Sequence, residues 1–78
     1  MSLTNMNIML KEIMSRLFDL EVRAIEEYEL SYDQLPSIMK SAEIMPVLQK
    51  YNVPTSMAFD DKLINIIRDN KLVDKYYN

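Results

Sequence analysis

Apolar side chains recur through the first third of the chain at Met6, Leu10, Ile13, Leu17, Leu20, Ala24 and Tyr28, in steps of three and four. Steps of that size return to one face of a helix, so residues 5–29 are predicted to form a long amphipathic helix, with Thr4 or Asn5 placed to cap it. Met9, Met14, Phe18, Val22 and Ile25 widen the stripe to an arc of roughly 220°, where a helix resting on one side of a domain needs only about 100°. Such a helix must be contacted on two sides, by later parts of its own chain, by a second chain, or by both.

The second constraint is an absence: 78 residues contain no glycine. Phosphate-cradling loops, the dinucleotide fingerprint and the EF-hand loop all need glycine for tight turns or close backbone approach, so all three are excluded. The chain also lacks histidine and cysteine. That removes the commonest general base, the thiol nucleophile, thiolate metal sites and disulfides, and is compatible with a reducing cytoplasm. Without glycine, helices are expected to end on asparagine, on proline, or by running directly into the next cap, and Asn52 ahead of Pro54, and Asn70, fit that role.

The middle of the chain echoes itself at a ten-residue offset, with Ser31, Asp33, Leu35, Pro36, Ile38 and Lys40 answered by Ser41, Glu43, Met45, Pro46, Leu48 and Lys50. Each copy reads as a short capped helix, near 34–41 and 43–51, and Ser31 with Gln34 also fits a capping box. Asn52, Val53, Pro54 and Thr55 read as a turn. A last helix near 56–70 follows, capped by Thr55 or Ser56, with Phe59, Leu63, Ile66 and Ile67 on one face and Arg68 late, where the helix dipole favours a cation. The expected fold is therefore all-α: a single small domain of about four helices, one long N-terminal helix packed by three shorter ones. Its core is expected to draw on Leu10, Ile13, Leu17, Ile25, Leu35, Ile38, Leu48, Leu63, Ile66 and Ile67. Residues 1–4 are read as tag-derived or unordered and 71–78 as a fraying tail. An apolar content of 49% argues against disorder, and no apolar run approaches the length that spans a bilayer.

Charge is unevenly placed. From Asp19 to Asp33 six acids face one base, Arg23, a local net of −5 in a chain whose total is −3. Glu26, Glu27 and Glu29 crowd the C-terminal end of the first helix, where the macrodipole disfavours them by a few tenths of a kcal/mol each. They form a candidate acidic patch for a basic partner or a divalent cation. As a metal site it is weak, because adjacent glutamates point to different faces and no histidine or cysteine joins them. Glu21 falls inside the apolar arc, where it is either paired with Lys40, Lys50 or a backbone N–H, or placed at the solvated margin.

The segments IEEY at 25–28, Ser31 opening a helix, Leu35, Ile38, Met39 and Lys40, IMPVLQKYNV at 44–53 and LINII at 63–67 resemble a family of small bacterial helical proteins of unknown function. The resemblance covers a little over half of the chain. It implies a helical accessory protein that binds a partner, and it supplies no activity and no functional residues.

Three classes of function can be weighed. An enzyme fits worst, since acid, base, nucleophile and phosphate cradle are mostly missing. A helix-turn-helix DNA regulator is the alternative reading, with the helix after Ser41 as reader. That helix offers Glu43, Gln49 and Lys50 without an arginine, and an acidic chain lacks the basic stripe that phosphate contacts demand. The expected function is a cytoplasmic, non-enzymatic protein–protein interaction module, acting by self-association as a homodimer or by binding another protein, with no cofactor, metal, nucleic acid or membrane. Met6, Met9, Leu10, Ile13, Leu20 and Glu21 are the candidate interface.

Overall fold

The computed structural model describes residues 3–69. Helix α1 runs Leu3–Arg23, and a π-helical turn, Ala24–Tyr28, continues it. A 3-10 turn at Tyr32–Gln34 leads to α2, Ser37–Lys50, and a second at Thr55–Phe59 leads to α3, Asp61–Arg68. The described residues are all-α and contain no strand; three helices joined by short turns replace the expected four. The tail at 71–78 and the helix end expected at Asn70 lie outside the described residues.

Helix α1 forms where the periodicity placed it. Its start differs, because Thr4 and Asn5 lie inside the helix rather than at its cap. Its seam is the core of the molecule: Met9, Leu10, Ile13, Leu17, Leu20 and Ala24 are all buried, Leu17 and Ala24 completely. Leu35, Ile44, Val47, Leu48, Ala58, Ile64 and Ile67 close over it from the later elements.

The end of α1 had no sequence signal. The π-helical turn lets the N–H groups of Glu29 and Leu30 both donate to the Ala24 carbonyl, and Glu29 takes the left-handed conformation at φ 57°. Glycine would fill that position without a clash, and a glutamate there costs about 1 kcal/mol. Leu30 compensates in part by packing on the core just past the cap.

The two short middle helices are one helix of 14 residues. The echo at Ser41 misleads because the Ser41 hydroxyl does not cap. It is buried, and it donates backwards to the Ser37 carbonyl (3.1 Å) and across to the Ala58 carbonyl (2.7 Å). With no cap drawn there, the chain runs straight on through Pro46, whose missing N–H leaves the exposed Ala42 without its intrahelical donor. The Ser31 capping box does form: the Ser31 N–H donates to Gln34 Oε1 at 2.9 Å, although it heads only one 3-10 turn. Asn52 adopts φ 58°, ending α2 as its residue type suggests.

The last helix is shorter than expected because its cap is Asp60, not Thr55 or Ser56. The Asp60 carboxylate accepts the Leu63 N–H at 3.1 Å, so the helix starts there and Phe59 is left off its face. Three expected core residues change sides for the same kind of reason. With α2 continuous from Ser37, the inward positions are Ser41, Ile44, Val47 and Leu48, and Ile38 is 62% exposed. Ala24 takes the seam position and leaves Ile25 at 58%, while Ile64 and Ile67 turn inward and leave Ile66 at 39%.

Two substitutions check this account by urea denaturation. Ser41→Ala removes the bond to the Ala58 carbonyl and should cost about 1–3 kcal/mol. Glu29→Gly should raise stability by about 1 kcal/mol, since it relieves the left-handed residue and removes an acid from a helix end.

Candidate interaction surface

Four of the six residues expected to form an interface belong to the core. Met9, Leu10, Ile13 and Leu20 are between 1% and 7% exposed, Met6 is half-buried against the same cluster, and Glu21 sits half-buried at the margin. The chain's own α2 and α3 cover that part of the arc. Glu21 makes no hydrogen bond or ion pair with the described residues, so neither Lys40 nor Lys50 pairs with it. Glu26, Glu27 and Glu29 are exposed, and among the described residues no three carboxylates gather as a metal site would require.

The uncovered part of the arc lies one residue further round α1. Two residues that precede seam positions reach α2: Arg23, next to Ala24, donates to the Glu43 carboxylate, and Arg16, next to Leu17, lies 3.9 Å from it. This pairing holds the Arg23 guanidinium above its ordinary pKa. Residues that follow a seam position turn away from α2 by the same 100°. Phe18, after Leu17, is 63% exposed and Ile25, after Ala24, 58% exposed. Met14 and Val22, half-buried, share their side of the helix and complete a stripe at 14, 18, 22 and 25. Glu21 borders the stripe on the seam side, and Asp19 and Glu26 border it on the other.

Polar contacts fix the elements behind this face. Glu12 accepts from Lys50 Nζ (2.9 Å) and Tyr51 Oη (2.7 Å), tying α1 to the end of α2. These bonds hold the Glu12 carboxyl below its ordinary range and raise Lys50 and Tyr51. Beside them an open cleft of about 510 Å³ is lined by Asn5, Lys50, Tyr51, Asn52, Val53 and Pro54. Its titratable side chains, Lys50 and Tyr51, are both held by Glu12.

Tyr32 is the residue that sequence reasoning missed. It is buried in the core, with Lys40 Nζ 4.4 Å and the Arg68 guanidinium 4.3 Å from its ring centre, so one ring joins the 3-10 turn, α2 and α3. Its hydroxyl has no partner among the described residues. The readable signal was an aromatic directly after the Ser31 cap and three residues before Leu35. Burial pushes the Tyr32 phenol up to about 12, opposed by Arg68 and reinforced by Glu21.

No family model matches the chain, and neither a curated protein nor a solved structure is significantly similar to it.

The Tyr32 environment makes stability fall in alkali. Below about pH 10 the phenol is neutral in both states; between about 10 and 12 only the unfolded chain loses the proton, which removes up to about 1.4 kcal/mol per pH unit. Tyr32→Phe should be near neutral at pH 7, since it deletes an unpartnered buried hydroxyl. It should also flatten that alkaline fall in a urea series. Equal slopes for the two proteins would show that Tyr32 is not the group responsible.

Proposed function

We propose that this protein is a non-enzymatic interaction module that binds protein through the Met14–Phe18–Val22–Ile25 stripe of α1. The observation that carries the reading is the exposure of Phe18 on α1 and Ile25 on the turn that continues it, two turns apart, while the seam from Met9 to Ala24 is buried; Tyr28, expected on that seam, is also exposed, at 56%. Each leaves well over half of a large apolar side chain in water, and a contact there would recover about 1–2 kcal/mol per residue. The resemblance to bacterial accessory proteins agrees with a partner-binding role, and a cytoplasmic setting agrees with a cysteine-free chain. Among the described residues no helix is long and apolar enough to cross a membrane.

Duplex DNA is the poorer partner. The reader helix that a helix-turn-helix needs after Ser41 is the second half of α2, and Arg16, Arg23, Lys50 and Arg68 are each held by a carboxylate of this chain. Phosphate contacts would have to break those pairs.

Phe18→Ser with Ile25→Ser tests the reading. Both side chains are exposed, so stability should stay within about 0.5 kcal/mol of the parent. Light scattering from micromolar to millimolar protein then asks whether any self-association of the parent is lost in the double variant, and titration with helical peptides asks the same of a heterologous partner. A strictly monomeric parent whose peptide binding is indifferent to both substitutions would overturn the proposal.

A further inference from the structure

We infer that the segment docking on the α1 stripe is a basic amphipathic helix of another protein, rather than a second copy of this chain. The inference rests on the reading of that stripe as a binding face and adds the chemistry of its partner.

The shape asks for a helix. Apolar residues at 14, 18, 22 and 25 form a ridge about three turns long on a helix that carries no glycine or proline, and a ridge of that kind packs into the groove of a second helix. A partner apolar at every third or fourth position would match it over roughly 16 Å of axis, from a rise of about 1.5 Å per residue. A strand would find no edge to pair with here, since every described element is helical.

The charge asks for cations. Glu21 stands on one side of the stripe, Asp19 and Glu26 on the other, and Glu27 and Glu29 lie just beyond its end; all but the half-buried Glu21 are exposed. Arg23 is the single base between Asp19 and Asp33, and its guanidinium is engaged by Glu43 on the side turned toward α2. Arg23 also faces Asp19 and Glu27, so it weakens the negative field around the stripe without reversing it, five acids standing against one base from Asp19 to Glu29. A second copy meeting it face to face would set the central acids Asp19 and Glu21 against their own counterparts as the apolar surfaces closed, whereas lysines or arginines flanking a partner's apolar positions would relieve them. The end of the stripe is also where the backbone departs from regular geometry, in the π-helical turn and left-handed Glu29. Such departures gather at functional sites.

Fluorescence anisotropy with three labelled synthetic peptides tests the inference on the full chain. One carries leucines on one helical face and lysines elsewhere, the second replaces lysine by glutamate, and the third scrambles the basic peptide so that no face forms. The basic amphipathic peptide alone should bind. Its affinity should fall about tenfold or more in Phe18→Ser with Ile25→Ser, in Asp19→Lys with Glu26→Lys, and on addition of salt. Circular dichroism and urea midpoints confirm that both double variants fold. Equal binding of the basic and acidic amphipathic peptides overturns the charge assignment and leaves the apolar face standing. Equal binding of the scrambled peptide overturns the helix. A parent dimer that Phe18→Ser with Ile25→Ser dissociates makes the second copy the occupant, which overturns this inference but not the proposed function. A monomer that binds no peptide overturns both.

Discussion

Burial of one seam of α1 is the interaction on which everything else in this structure depends. Leu10, Ile13, Leu17, Leu20 and Ala24 present a continuous apolar line, and each of the four larger side chains contributes about 1.5–3 kcal/mol on leaving water. The pairs at its edges, Glu12 with Lys50 and Arg23 with Glu43, are solvent-exposed contacts worth about 0–1 kcal/mol each. The seam thus decides that α2 and α3 close on α1. The ion pairs flank that contact and mark how far round α1 the second helix sits.

That rotational setting creates the open face. Because α2 is held by residues one step before the seam, the residues one step after it are turned away, and α3 is too short at eight residues to cover the whole flank. The width of the arc, not a special motif, leaves Phe18 and Ile25 in solvent. Acids crowd the same end of the helix, so apolar area and negative potential coincide.

Two buried polar side chains set the course of the chain behind the seam. Ser41 joins α2 to the second 3-10 turn through the Ala58 carbonyl, and Tyr32 gathers Lys40 and Arg68 over its ring. Neither is a large contribution taken alone. A chain without glycine has few tight turns available, however, and these contacts place the connections where steric freedom does not.

The sequence by itself determined the helical class, the course of α1 and its buried seam, the capping box at Ser31 and the helix end at Asn52. Each follows from short-range rules: a period of 3.6, a side-chain oxygen near an orphan N–H, a residue type that tolerates a left-handed backbone. Tertiary structure decided the rest. Ser41 carries the local signature of a cap, but its hydroxyl finds the Ala58 carbonyl 17 residues away, so two expected helices become one. Asp60 outcompeted Thr55 and Ser56 for the last helix start, and that choice reset which isoleucines face inward. The expected interface failed for a similar reason. A periodic pattern tells how wide an apolar arc is, but which part of it stays open depends on the angle at which distant helices dock, and here α2 docks with Glu43 against Arg23 and Arg16, twenty and twenty-seven positions away.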